Sequence, residues 1–416
     1  MGYKVAGIDI HKQVLMVVVM LLVQAEGRVE KLERRRFGTT TPELEKLAAW
    51  LQALGVQEAV MESTAQYWKP VWGALEGKIP TLHLAQAFSN RARRGRKDDF
   101  RDAERWVRRR VAGELVLSFV PPPEQRNLRT MTRMQVHLTQ DRGRLHNQVE
   151  CLLEEMRIKL SSVLSDLFGV TGRHILGTLA KGETDPQKLA AWAGNRLQCT
   201  SQELVAALTG KVLAMHQRLL GLYLQRLQLI DDQIDELKPM IAAALAAHQE
   251  AVQRLAEVPG FGADSAQQMI AEVGPQAATF PSAGEMSSWV GTCPGQNESA
   301  EENHSSRSAK GNRYARRLLT EAANAAVKTK GSHWQVVFRR LLPRLGYQQA
   351  VWAVAHRLCR VVWKILHDKV RYVEQGVNRD PKARSNRART LARALRQLGY
   401  SVELTPLTPA PAPTSP

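Results

Sequence analysis

The sequence predicts an α/β domain followed by a mostly α-helical region, on three observations. Strand-like runs open the chain and then alternate with helical ones as far as Leu84. From Met131 onward, long stretches show helical periodicity without strand signals. Gly and Pro punctuate the passage from one segment to the next.

Tyr3–Ile10 and Val14–Val23 are rich in β-branched residues, and Gly27 turns the chain into a third strand, Val29–Phe37. The second run is apolar at nearly every position, which fits a strand buried on both faces. Thr41-Pro-Glu-Leu-Glu reads as a capped helix start, with the helix running to about Leu54 and Gly55 stopping it. A strand at Val56–Met61, a helix at Tyr67–Leu75 and a strand at Ile79–Leu84 complete the alternation. A helix is expected over Asp99–Arg110, and long helices over Met131–Leu160 and Ser201–Ala247. In the last of these Leu213, Leu220, Leu224, Leu227, Ile234 and Leu237 keep near-heptad spacing, so the helix should pair, within this chain or with a second copy. The segment LAEVPGFGADSAQQMIAEVG, from Leu255, gives two helical pieces about a Pro-Gly-Phe-Gly turn. It has the form of a helix-hairpin-helix, whose Gly260 and Gly262 would let backbone N–H groups approach a phosphate; a plain helical corner has the same pattern. The tail is first basic and ends in PLTPAPAPTSP, which cannot bury a core and is expected to be disordered.

With 58 Lys and Arg against 40 Asp and Glu, the 416-residue chain carries a net charge of +18. So positive a field implies a polyanionic partner, usually nucleic acid, although ribosomal and membrane-surface proteins share the balance. Cys151, Cys199, Cys293 and Cys359 lie far apart with no CxxC pair, which argues against a zinc module and fits a reducing cytoplasm. The longest apolar run, Val14–Val23, is half the roughly 20 residues that a membrane span needs. No export signal is evident, and a cytoplasmic location without membrane contact is expected.

Acidic residues stand where a sheet places its chemistry. Asp9 closes the first strand in Gly7-Ile8-Asp9-Ile10-His11-Lys12, and Glu62 follows the fourth in Met61-Glu62-Ser63-Thr64. In Arg96-Lys97-Asp98-Asp99-Phe100-Arg101-Asp102-Ala103, Asp99 and Asp102 would share one helical face. Clustered carboxylates repel, and two Mg²⁺ ions roughly 4 Å apart would remove that cost. Residues 91–110 also hold ten Lys or Arg, among them Arg94, Arg96, Lys97 and Arg101, a density that fits a phosphate backbone crossing the site. Read singly, an acid beside Arg is a solvated ion pair, and Asp98 fits that description.

Further on, Trp289-Val290-Gly291 leads through Pro294 to Asn297-Glu298-Ser299-Ala300, and then to Lys310-Gly311-Asn312-Arg313. Lys310, Asn312, Arg313, Arg316 and Arg317 are suited to phosphates or to a solvated helix face alike.

Taken in order, GIDIHK, the strand-end MEST, RKDDFRDAERW and the Trp-x-Gly to Lys-Gly-Asn stretch resemble the DEDD transposases of bacterial insertion sequences, the family numbered 110. The resemblance covers about residues 3–112 and 251–330. It implies an RNase H-like domain similar to the RuvC resolvase, with Asp9, Glu62, Asp99 and Asp102 as the catalytic, metal-holding acids. Asp98 stands where the family usually has Thr. It casts Ser299 as the nucleophile that forms a phosphoserine link with DNA, Ser305 and Ser306 being weaker candidates; Glu301 and Glu302 replace the family's usual small residues and Lys. The implied layout is a RuvC-like catalytic domain at 1–125, a helical or coiled-coil spacer at 126–250, a serine-bearing transposase domain at 251–375 and a basic, then Pro-rich tail at 376–416. DNA at the element's ends and target, a structured guide RNA encoded by the element, and assembly from dimer to tetramer are implied as partners. Two other functions fit the same residues: a hydrolytic RuvC-like nuclease or junction resolvase that needs only the acids, and a non-catalytic nucleic-acid-binding protein. A tyrosine recombinase is disfavoured, because no Arg-His-Arg-Tyr set can be assembled.

Overall fold

β1 (Tyr3–Ile10) is apolar and buried from Val5 onward, and it lies inside the sheet. β2 (Val14–Val23) returns antiparallel with Val17 opposite Ile8, and β3 (Arg28–Gly38) runs antiparallel to β2. In β3 the residues from Glu30 to Arg36 are exposed and mostly charged, which suits a strand at the sheet's edge. α1 (Thr41–Ala53) crosses to β4 (Glu58–Glu62), parallel to β1, and α2 (Trp68–Leu75) crosses to β5 (Thr81–Ala85), parallel to β4. α3 (Asp99–Val111) and the short β6 (Leu117–Ser118) follow, giving the strand order β3-β2-β1-β4-β5-β6. The computed structural model describes residues 2–23, 28–63, 65–86, 98–192, 199–295, 297–299, 302–305, 307–374 and 381–405.

Side chains alternate across β1. Ala6, Ile8 and Ile10 join Leu44, Leu47, Val71 and Trp72 of α1 and α2 in one core. On the opposite face Val5 meets Ala103, Trp106 and Val107 of α3, together with Val18 and Val60. Residues 1–122 form one compact unit around this three-layer arrangement, an RNase H-like mixed sheet as expected.

The second unit, residues 123–416, is helical apart from one hairpin among the described residues. Its elements are α4 (Pro123–Glu155), α5 (Leu160–Val163), α6 (Val170–Ala180), α7 (Pro186–Ala190), α8 (Ser201–Leu208), α9 (Ala214–Ala244), α10 (Gln249–Ala256), α11 (Ala263–Val273) and α12 (Ala283–Val290). There follow β7 (Asn297–Ser299), β8 (Glu302–Ser305), α13 (Arg313–Ala326), α14 (His333–His367) and α15 (Pro381–Gln397). α4 and α9 lie antiparallel: Leu128 shares a core with Ile241, Arg142 meets Asp231 at 3.2 Å, and Leu152 shares a core with Leu220. The heptad seam of α9 is therefore buried within the chain, at Leu220, Leu227, Ile234 and Ile241.

Several elements differ from the sequence reading. The helix expected over Ser201–Ala247 is two helices, α8 and α9. At the break a Cβ on Gly210 would overlap the carbonyl of Met156, and Lys211 N–H donates to that carbonyl at 2.8 Å. The cap of α1 is Thr40, with no side-chain hydrogen bond; Pro42, which needs no N–H partner, starts the helix instead. α4 begins at Pro123, ahead of the predicted Met131. The basic part of the tail forms α15, whose Ala- and Arg-rich sequence favours helix; the Pro-rich end from 406 lies outside the described residues.

A candidate carboxylate centre and the serine-bearing hairpin

The carboxylate centre is built where α3 touches β1. Gly7 lies so close to α3 that a Cβ there would overlap the carbonyl of Ala103. Two residues along β1 from Gly7 is Asp9, and one turn back along α3 from Ala103 is Asp99. The close approach at two small residues thus carries these two carboxylates toward each other. The far end of α3 is held by Glu58, buried in β4, which accepts from Tyr3 Oη at 3.0 Å and from Arg110 and lies 2.8 Å from His83 Nε2. Burial raises the Glu58 pKa, but these contacts, led by the one with His83, outweigh it and bring the carboxyl below its ordinary value.

His11 completes the centre. Its Nε2 lies 3.1 Å from Asp9 Oδ2 and 3.6 Å from Asp99 Oδ2, and Asp9, His11 and Asp99 bring one ligand atom each within 4.8 Å of one another. Glu62 sits one position beyond Met61, the β4 partner of Ile8, level with Asp9 on the next strand. Asp9 is 7% exposed, and burial raises its pKa; His11 opposes the rise, while Asp102, Asp99 and Glu62 add to it. The other three predicted acids are therefore close enough to act on Asp9, and Asp99 is grouped most tightly with it. Asp102 also lies 3.8 Å from Arg105.

The adjoining acid has another task. Asp98 is the N-cap of α3, its Oδ1 accepting from the backbone N–H of Phe100 at 3.1 Å and of Arg101 at 3.4 Å. Asp99, not Asp98, faces Asp9. Arg101 is exposed and pairs loosely with Asp98 at 3.5 Å, whereas Arg94, Arg96 and Lys97 lie outside the described residues. Sequence reasoning passed over His11 as a ligand, although it stands two residues beyond Asp9 at the same strand end.

In the second unit Ser299 ends β7, opposite Glu302 of β8 in the pairing register; Ser305 lies opposite Asn297, and Ser306 is outside the described residues. The hairpin's stem is closed backbone to backbone. A Cβ on Gly311 would overlap the carbonyl of Val290, and one on Gly295 would overlap the carbonyl of Arg307. Gly291 has φ +81° and Gly311 φ +51°, where glycine is favoured. Arg316 donates to the carbonyl of Ala309 at 2.6 Å and to that of Gly291, tying the two arms. The Trp-x-Gly and Lys-Gly-Asn motifs are thus the two sides of one clasp.

Asn312 caps α13, accepting from Tyr314 N–H at 3.0 Å and Ala315 N–H at 3.1 Å, and its amide donates to Glu272 at 2.8 Å. Glu272 is buried and accepts from Nε and Nη2 of Arg133, each at 2.8 Å, with Arg129 at 3.7 Å. Burial pulls the Arg129 guanidinium down to about 10. Asn312 therefore has a structural duty that its motif did not reveal. Lys310 and Arg313 are exposed, and Arg313 donates to Tyr314 Oη at 2.8 Å. Gly260 has φ +91° and packs on the backbone of α13 at Ala322, so its glycine is required by packing; Gly262, the N-cap of α11, opens onto free space.

Two family models match this chain. A transposase model of the DEDD type for IS110 matches residues 6–158, which include Asp9, Glu62, Asp99 and Asp102. The model described as the Transposase IS116/IS110/IS902 family matches residues 252–338, from α10 through the hairpin to α14. No curated protein matches the chain. The two stretches together take in more than half of the sequence, in the order of its motifs, and the chain belongs to the IS110 family of transposases.

Proposed function

We propose that this transposase cuts and rejoins DNA at the element's ends and its target, using Ser299 as nucleophile and the carboxylate centre to hold Mg²⁺. The convergence of Asp9, Asp99 and His11, with Glu62 and Asp102 acting on the buried Asp9, is the observation that supports this reading most. The acids around Asp9 raise its proton affinity, and a hard divalent cation suits carboxylate oxygen donors. Asp9, Glu62, Asp99 and Asp102 would hold the metal, two ions in the two-metal arrangement. Bound Mg²⁺ would supply charge for the phosphate oxygens during displacement.

The serine hydroxyl oxygen forms a bond to phosphorus as the bond to the leaving sugar oxygen breaks, and the serine proton ends on that oxygen. The phosphoserine link keeps the bond's energy, so the reverse attack by a second strand's hydroxyl rejoins DNA without ATP. Lys310 and Arg313, both exposed beside the hairpin, are suited to the DNA backbone, as are Arg94, Arg96, Lys97 and Arg101, near Asp98 and Asp99 in the sequence. The net charge of +18 leaves room for a structured RNA that pairs with both DNAs, as the family resemblance implies. The serine-bearing region and the acids lie in different compact units, which favours assembly of the site between subunits of a dimer or tetramer. On α9, Met215, Leu222 and Leu229 stay exposed at seven-residue spacing beside the seam that α4 fills, a surface suited to a second copy. Among the described residues no helix is long and apolar enough to cross a membrane.

The reading is tested with element-end DNA, Mg²⁺ and the element's transcript, scoring covalent protein–DNA adducts on denaturing gels. Wild type forms the adduct, Ser299→Ala does not, and Asp99→Ala neither forms it nor cuts. Continued cutting by Ser299→Ala would favour the hydrolytic nuclease, and binding without cutting by wild type the non-catalytic reading. Unchanged activity after omission of the transcript would remove RNA guidance, and a monomer mass on DNA would remove the shared site.

A further inference from the structure

A cleft of about 1000 Å³ opens where the hairpin stem meets α14. Thr292 and Pro294, on the arm entering the hairpin, and Arg307 and Ser308, on the arm leaving it, form one wall. Trp352, His356, Arg357 and Arg360 of α14 form the other. The Trp352 ring is fixed: its indole N–H donates to Ser308 Oγ at 2.9 Å, and the Arg316 guanidinium lies 4.5 Å from the ring centre. Nothing in the carboxylate chemistry uses this cleft.

We propose that the cleft takes one unpaired nucleotide of the DNA strand presented to the hairpin, stacking its base on Trp352 and its phosphate against Arg357 and Arg360. A ring held at both its N–H and one flank is a low-entropy platform, and stacking on an aromatic accepts any base. Cations at 357 and 360 are one helical turn apart and line the same wall as the ring, so an aromatic face and positive charge share one cleft. Among the described residues that line the cleft none is a carboxylate, and Arg307, Arg357 and Arg360 give it positive charge. Because the hairpin's two arms rise from its rim, a nucleotide drawn into the cleft would fix the adjoining phosphate near the hairpin. This inference rests on the reading that the second unit handles DNA, but it does not require that Ser299 attack it.

The test measures binding of the full-length protein to a fluorescein-labelled single-stranded DNA, the matching duplex and the matching RNA strand. Trp352→Ala and Arg360→Ala are expected to weaken single-stranded DNA binding by about tenfold or more, with duplex binding little changed. Trp352→Phe should restore it. Arg360 is exposed, so its variant reports even where Trp352→Ala fails to fold. For Arg360→Ala the salt dependence on single strands should fall by about one phosphate contact. Equal losses on duplex and single strand, no loss on either, or a loss confined to the RNA strand would each overturn the proposal. A failed adduct assay with these binding losses intact would sink the serine chemistry alone.

Discussion

Gly7 and Ala103 meet backbone to side-chain vacancy: the Ala103 carbonyl occupies the space that any β-carbon at position 7 would need. This contact sets how far α3 stands from β1, and so how near Asp99 comes to Asp9.

Gly7→Ala should therefore do more than destabilise. Overpacking at this contact is expected to cost about 1–3 kcal/mol in chemical denaturation. The variant should also lose most of the rise in melting temperature that Mg²⁺ gives wild type. Gly73→Ala, on α2 with open space around it, is the control and should be neutral or stabilising by up to about 1 kcal/mol. A normal Mg²⁺ response in Gly7→Ala would disconnect the contact from the centre.

The raised Asp9 pKa fixes the sign of a pH effect. A carboxyl that holds its proton more tightly when folded makes the native state bind more protons than the unfolded chain between the two pKa values. In that window, above the ordinary 3.8, stability falls as pH rises. Without metal, Asp9→Asn should melt higher than wild type at neutral pH, and the difference should shrink on acidification. In Mg²⁺ the order should narrow or reverse, since the variant loses a ligand. Melting curves across pH, with and without Mg²⁺, check both.

Neighbouring acids on α3 should separate cleanly. Asp98→Ala removes a cap and is expected to cost about 1 kcal/mol of stability, with Asp98→Ser recovering most of it and both keeping DNA cleavage. Asp99→Ala should keep the stability and lose the cleavage. If Asp98→Ser cannot cleave, the division of labour drawn from the cap geometry is wrong.

Glu272→Gln should be the most damaging of these changes, by about 3 kcal/mol, because it leaves the half-buried Arg129 and Arg133 without their counter-charge. Asn312→Ala should cost less, about 1–2 kcal/mol, for a lost cap and one hydrogen bond. Urea titrations decide the ranking.

The β-branched runs of the first three strands, and the acids at the strand ends, were legible because pattern and burial agree there. Ser201–Ala247 was not, since its apolar spacing continues past Gly210 and only the turn after α4, distant in sequence, interrupts the helix. β6 has two residues and no pattern to read. Asp98 carried a readable signal, an acid directly before a helix, which the competing motif reading obscured. His11 stood in view two residues beyond Asp9, but its approach to Asp99, like the Glu272 cluster, depends on distances between elements, which spacing along the chain does not encode. The Gly291 and Gly311 contact is of the same kind: each motif was visible, and their mutual fit was not.

That fit has a practical consequence. The stem closes at Gly291, Gly295 and Gly311 through backbone contacts that lie outside residues 297–305. A segment mounted in this way can be treated as an exchangeable cassette. Grafting a relative's segment between the same three glycines should transplant its tip chemistry without retuning the helices beneath.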